Sequence, residues 1–432
     1  MKRKIVRVLL TLILVIALTI SASCSTKLQS IEFVPDFSQD RMIETIRVLS
    51  AEDGGRIAGF EGEADIAEYI SGQFDLIGLE VSEQIFPVKA FACEKVSLKL
   101  MVDNDVLTQP AKALTFSVAT PAEGLSAEIV PVGMGADDDY NEIDVSGKMV
   151  LIMRGGEFFR VKTERAYKNG AVAAIFYDPN GEGAISATLT QLSAIPAISI
   201  ARMDAEKMIK SITEGNTVDA NLVVDSITED SFSKNVIGLY KSSNNPESNC
   251  VIVGAHYDGV DTPAANDNAS GTAVIIEMAK VLAEQKIHLP YDVKFIAFGA
   301  EEIGLIGSTA FVTRMSRSEN ESVLAMINFD MVGVGDSFEL YTADGIDDSE
   351  LIDITAEVIK QMGFEPEISK TDRSDHSPFS YAGIQAVYIA VGPFEDYHTD
   401  LDTLNAIQPA MLVNVCEVGT KMLIEELPKW LK

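Results

Sequence analysis

The chain has 432 residues, 47% of them hydrophobic and 23% charged, which is long enough for two or more cored domains and too apolar for a disordered chain. Its net charge of −31 repels polyanions and sets nucleic-acid binding aside. Four cysteines without a Cys-x-x-Cys pair make no disulfide framework, so Cys93, Cys250 and Cys416 are expected as buried thiols and any metal must be held by histidine and carboxylates.

Residues 1–23 read as an export signal. Lys2, Arg3, Lys4 and Arg7 precede an apolar run from Val8 to Ile20, and small residues lead to Cys24. The run is short for a spanning helix. Ser21-Ala22-Ser23-Cys24 resembles the bacterial lipobox, with Ser21 where leucine is usual. It implies a lipid on Cys24 and a membrane-anchored, cell-surface lipoprotein; ordinary cleavage after Ser23, giving a secreted protein, is the alternative. Residues 24–38 would be a tether.

Residues 39–108 are expected to form the first part of the main domain, which resumes at 229. Met42, Ile43, Ile46 and Leu49 make one helix face, the loop through Arg56 and Gly59 follows, and Ile66, Ala67, Ile70 and Phe74 mark a second helix that Gly78 can cap. Residues 80–102 alternate as strands do. Between 109 and 228 come short strands at Ala127–Val132, Met149–Met153, Ala173–Tyr177 and Ala197–Ile200, with one helix expected. Gly147–Gly155, Phe158, Lys162, Ala166, Gly170-Ala171 and Ile195–Ile200 resemble the protease-associated (PA) domain, a small β-rich insert, for which a substrate-gating and a passive role are both open.

From 229 to 432 strands and helices alternate, as in an α/β sandwich with a mostly parallel sheet. Ligands in such folds bind outside the carboxyl ends of the strands. Val251–Ala255 delivers His256 and Asp258, two residues apart on one face, so that Asp258 can hold the imidazole. A polar loop then presents Asp267 ahead of an apolar helix. Val293–Phe298 leads to Glu301-Glu302, of which one can ligate a metal while the other stays free as a base. Ala325–Phe329 ends at Asp330, and Ala386–Ala390 precedes Tyr397-His398. His256, Asp267, Glu302, Asp330 and His398 are one ligand too many for a single tetrahedral ion and fit two if one carboxylate bridges. Imidazole with carboxylate suits zinc, with manganese or cobalt as substitutes. His288 reads as a bystander.

On these residues the chain resembles the co-catalytic two-zinc aminopeptidases, the family that also holds glutamate carboxypeptidase and glutaminyl cyclase relatives. The resemblance implies a three-layer zinc-exopeptidase sandwich with the inserted PA domain. It further implies that His256 and Asp330 hold one zinc, Glu302 and His398 the other, and that Asp267 bridges. Glu301 matches the general base, Asp258 the partner of His256, and Tyr397 a phenol assisting the oxyanion. Asp375, His376 and Phe379 match a segment lining the substrate cleft. The implied activity is removal of N-terminal residues from peptides with a free amino end, using a water bridging two Zn²⁺. The alternatives are a carboxypeptidase, a glutaminyl cyclase, or a non-catalytic surface lipoprotein that binds peptides. Nothing in the sequence speaks to oligomeric state.

Overall fold

The computed structural model describes residues 36–430 apart from 51–54, 103–104, 182, 243–248 and 348; the leader, Cys24 and most of the tether fall outside them. Among the described residues no helix is long and apolar enough to cross a membrane.

Helices α1 (Gln39–Leu49) and α2 (Glu61–Ile77) begin the fold. Ser38 caps α1, its side chain accepting from Arg41 N. Gly78, at φ 91°, ends α2 in the left-handed conformation that glycine adopts without a Cβ clash. Two long strands follow, β1 (Glu80–Val102) and, much later, β8 (Asp219–Tyr240). They pair antiparallel from Glu80↔Leu239 to Met101↔Asp219.

Between them lie β2 (Asp105–Gln109), β3 (Ala111–Ala113), β4 (Leu125–Pro131), β5 (Met149–Met153), α3 (Phe159–Lys168), β6 (Ala173–Tyr177), β7 (Ala197–Ile200) and α4 (Arg202–Thr213). Strands β4 to β7 are parallel neighbours and β3 closes the edge antiparallel to β7. The one helix expected in this stretch is two. Only Ala205 and Met208 of α4 are buried, too narrow a stripe to stand out in the sequence. Strand β8 runs unbroken through positions 228 and 229, pairing with β4 near one end and with β10 near the other.

The remaining strands are β9 (Cys250–His256), β10 (Asp292–Phe298), β11 (Val323–Phe329), β12 (Ser337–Thr342), β13 (Glu367–Lys370) and β14 (Ala386–Gly392). Their order is β13-β12-β14-β11-β9-β10-β8. Because β10, β9, β11 and β14 are mutually parallel, their carboxyl ends emerge along one rim. The wholly buried β9 reads as a continuous apolar run, as a strand covered on both faces does.

Helix α5 (Gly271–Glu284) is buried over most of its surface and packs with α1 and with α10 (Pro409–Lys421). The buried Glu277 is held by Arg41 Nε at 2.9 Å and by Ser38 N at 2.7 Å, so one charged pair ties α1 to α5. Short helices α6 (Ile306–Arg314), α7 (Arg317–Ser322), α8 (Glu350–Gln361) and α9 (His376–Tyr381) complete this half, with α11 (Leu427–Trp430) after α10. Phe311 of α6 and Phe379 of α9 meet Phe298 of β10 with ring centroids 6.4 and 5.9 Å apart. Cys93, Cys250 and Cys416 are free thiols, Cys93 only partly buried.

Candidate metal centre

The loop Ala265–Ser270 explains why its sequence alternates. Asn266, Asn268 and Ser270 all turn toward the chain leaving β11. Asn268 Nδ2 donates to the Phe329 carbonyl at 2.9 Å, Gly333 N to Asn266 Oδ1 at 2.7 Å, and Val332 N to Ser270 Oγ at 3.0 Å. Asp267, out of phase with them, lines a cleft instead. Its backbone is gripped from two further sides. Asp402 accepts from Asn266 N at 2.7 Å and Asp267 N at 3.0 Å. The fully buried Arg56 donates to the carbonyls of Leu49 (3.0 Å), Pro263 (3.2 Å) and Ala264 (2.6 Å).

The five candidate ligands come together at the rim of the sheet. Asp267 Oδ1 lies 3.2 Å from His256 Nε2 and Asp267 Oδ2 lies 3.0 Å from His398 Nε2. Asp330 Oδ1 is 3.4 Å from His256 Nε2, and Glu302 Oε2 is 3.0 Å from His398 Nε2. Two trios follow, His256–Asp267–Asp330 and Asp267–Glu302–His398, each offering ligand atoms within 4.8 Å of one another and sharing Asp267. A third, His256–Glu301–Glu302, meets the same distance.

The donor set fits a pair of divalent ions. Glu302 Oε1 is buried without a hydrogen-bond partner among the described residues, and Asp330 Oδ1 and His398 Nε2 face only other candidate ligands. Such groups are costly unless a cation or water satisfies them. The charges agree. Burial opposes a charged His256, but Asp330, Glu301, Asp258 and Asp267 outweigh it and hold the imidazole well above its ordinary value. Burial is likewise overcome at His398, which Glu302 and Asp267 lift to about 10. Burial would raise the Asp267 carboxyl, yet His256 and His398 hold it below the usual carboxylate range.

Asp258 does more than stand beside the imidazole. His256 Nδ1 lies 3.2 Å from the Asp258 backbone carbonyl and 3.6 Å from its carboxylate, beyond hydrogen-bond reach. The carboxylate accepts from Glu301 N at 2.9 Å and Glu302 N at 3.1 Å. Beside it the buried Glu63 accepts from Ala300 N at 3.1 Å, Ser233 Oγ at 2.6 Å and Gly59 N at 2.7 Å. Two buried carboxylates thus grip three successive amides of the turn that presents Glu301 and Glu302. Burial, with Asp258 adding, pushes the Glu63 carboxyl up to about 8. Non-glycine residues with positive φ gather here: Ala264 at 50°, Ala300 at 55°, Met331 at 52° and His398 at 56°, the kind of local strain that a tightly determined site can sustain.

The cleft above the trios has a volume of about 410 Å³ and is lined by Asp267, Glu301, Glu302, Asp330 and Tyr397, among others. Tyr397 is 45% exposed, and its ring stacks on His398 with centroids 3.8 Å apart. Asp375, His376 and Phe379 do not line it. Phe379 is fully buried in the apolar cluster with Phe298 and Ile252, and Asp375 and His376 are fully buried as well. An apolar core position and a cleft wall carry the same residue types, so the sequence could not separate them. Their neighbour Ser374 is the one that reaches the centre, donating to Asp330 Oδ2 at 2.6 Å while accepting from Asn328 Nδ2 at 2.7 Å. Glu63 carried no sequence signal, whereas Ser374 stands at the head of the segment matched to a cleft lining and Asp402 just beyond His398.

The family model described as Peptidase family M28 matches residues 235–422, and the PA domain model matches residues 121–208. Aminopeptidase YwaD of Bacillus subtilis is 32% identical over 409 residues, spanning 91% of this chain and 86% of its own length. The chain belongs to peptidase family M28. A second M28-like relative, the probable lipoprotein aminopeptidase LpqL of Mycobacterium tuberculosis, is 28% identical over 410 residues, 84% of this chain and 79% of its own. Two solved structures superpose with a TM-score of 0.76. They are an aminopeptidase from Aneurinibacillus sp. strain AM-1 (32% identity, 90% of this chain and 94% of that one) and BSAP, a zinc aminopeptidase from Bacillus subtilis (30% identity, 90% and 95%). The M28 chain thus has the mostly parallel α/β sandwich of zinc aminopeptidases, with a PA domain.

Proposed function

We propose that the protein is a zinc aminopeptidase that removes N-terminal residues from peptides, with two metal ions bridged by Asp267. The observation that carries this reading is the placement of the Asp267 carboxylate, one oxygen 3.2 Å from His256 Nε2 and the other 3.0 Å from His398 Nε2. His256 and Asp330 would hold one ion, and Glu302 and His398 the other. This leaves Glu301 in the cleft as a free base. Zinc at such a pair supplies Lewis acidity that lowers the pKa of a shared water towards ~7 and polarises the scissile carbonyl.

The chain's own groups do the rest. Glu301 takes the proton as the water oxygen bonds to the carbonyl carbon, and returns it to the amine as the C–N bond breaks. Tyr397 donates its hydroxyl to the oxyanion. Asp258, through the amides of Glu301 and Glu302, keeps base and ligand in fixed relation. The carboxylates facing the cleft would receive the substrate's free ammonium. Lys370 and Arg373 also stand in the cleft wall, the cations that the carboxypeptidase alternative requires, although Lys370 is paired with Asp347. N-acetylated and C-amidated peptides, run in parallel, separate the two: only the acetyl block should abolish turnover.

Supporting the domain reading, residues 39–108 and 229–432 would form the peptidase portion and 109–228 the PA insert. The likeness to LpqL, named a lipoprotein, supports export with a lipid on Cys24.

Glu301→Gln tests the mechanism. The variant should keep its zinc and lose ~10² or more in kcat, the usual scale for a general base. Near-parental turnover in the folded, zinc-loaded variant would remove Glu301 from that role.

A further inference from the structure

Two polar side chains of the PA insert reach the metal centre at His398, while its apolar core packs with Ala300 and Ile303 beside Glu301 and Glu302. Lys112 of β3 places Nζ 3.1 Å from the backbone carbonyl oxygen of His398, and Ser186 Oγ donates to the same oxygen at 3.1 Å. Lys112 Nζ and Ser186 Oγ are themselves 3.4 Å apart. Both donors are tied to one strand of the insert. Lys112 pairs with Ser199 across β3 and β7, and Ser199 Oγ donates to the Ile185 carbonyl at 2.5 Å, one residue before Ser186. The described residues on both sides of this contact belong to one compact unit.

The oxygen they hold belongs to a residue in the left-handed conformation, φ 56°, which a side chain enters only at a cost. Four residues on, Asp402 is fastened to the opposite wall. Its carboxylate takes the amides of Asn266 and Asp267, and its carbonyl takes Ala265 N at 3.1 Å. The segment from His398 to Asp402 is therefore pinned at one end by the insert and at the other by the loop carrying Asp267. An ammonium donor makes a charge-assisted bond roughly twice as strong as a neutral one, so Lys112 is the stronger of the two pins.

We propose that the PA insert is a clamp on the metal centre: Lys112 and Ser186 hold the His398 backbone so that its imidazole stays on the second ion. They are positioning residues that act through His398, the ligand assigned to the second ion. His256 and Asp330 are carried instead by the ends of β9 and β11. The clamp rests on the reading of His398 as a metal ligand.

The test uses the full chain, stripped with chelator and titrated with zinc against a chelating indicator. The variants are Lys112→Met with Ser186→Ala, Lys112→Arg alone, and His398→Ala. In the double variant the affinity of one zinc, the one that His398→Ala removes, should fall about 10–100-fold, the range for losing an outer-shell partner. The affinity for the other zinc and the melting temperature of the metal-free chain should stay at parental values. Lys112→Arg, which keeps charge and donor, should restore most of the loss. Parental affinities in the double variant overturn the clamp. So does an equal loss at both sites with a lowered metal-free melting temperature, which marks a mere structural prop. If the double variant does not fold, Ser186→Ala alone should show a smaller loss at the same site, and no loss overturns the proposal. His398→Ala separates the two levels: it should abolish one zinc, and if it leaves both, the ligand reading falls and takes the clamp with it.

Discussion

His376 shows how a single side chain can set acid sensitivity without touching substrate. It is fully buried, its ring 5.4 Å from that of Tyr388, and burial pushes its pKa down to about 4 from the ordinary 6.5. Between those values the unfolded chain binds the proton and the folded chain does not, so stability rises with pH across that window and is lost on acidification from 6.5 to 4. Below 4 both states are protonated and no further loss follows. The scale is about 3 kcal/mol at 1.36 kcal/mol per unit. The Glu63 carboxyl, held at about 8, works in the opposite sense, so the comparison must be between variants. With metal removed, His376→Phe should lose less stability than the parent between pH 6.5 and 4 in denaturant titrations. Parallel pH profiles would contradict the assignment. Residue-scale roles divide sharply in legibility. His256, Glu302 and Asp330 sit at or just past the end of an apolar run, and Asp267 and His398 lie in the loops beyond such runs, a pattern visible in one dimension. Glu63, Ser374 and Lys112 act on residues 44 to 286 positions away, and no local pattern records such a bond.

At the scale of elements, helix α5 begins where the chain is most crowded. A Cβ on Gly271 would meet the Phe329 carbonyl oxygen at 2.3 Å and Asn268 Oδ1 at 2.4 Å. Helix propensity alone favours Gly271→Ala by ~1 kcal/mol, but the backbone of β11 cannot yield, and overpacking of this kind costs about 1–3 kcal/mol. The variant should therefore melt lower than the parent, with Asn268 displaced from its bonds to Gly271 N and Phe329 O. A raised melting temperature would show that the loop relaxes freely. Strands that lie inside the sheet, such as β5, β6 and β9, were legible from their unbroken apolar runs. Strand β13 was not, because all four of its residues are exposed and its place is set only by pairing with β12. The length of β8 was hidden for a similar reason: its middle, from Asp225 to Phe232, alternates poorly and is held by β1, whose partner residues lie up to 145 positions earlier.

For the whole molecule, the proposal of export with a lipid on Cys24 has its own test. Metabolic labelling with a palmitate analogue should mark the parent and spare Cys24→Ser, whereas an unlabelled parent would make the protein a freely secreted one. The parallel rim formed by β10, β9, β11 and β14 is what turns residues spread from His256 to His398 into one site, and the topology of M28 is legible in the alternation of strands and helices over that stretch. The proposed grip of the insert on that rim was not, since it depends on how β4 joins the insert's strands to β8. The most direct measurement is an anomalous-scattering map at the zinc edge from crystals of the zinc-loaded chain. The account predicts two peaks about 3.5–4 Å apart, one beside His256 and Asp330, the other beside Glu302 and His398, with Asp267 reaching both and Glu301 bound to neither. A single peak, or one coordinated by Glu301, would contradict it.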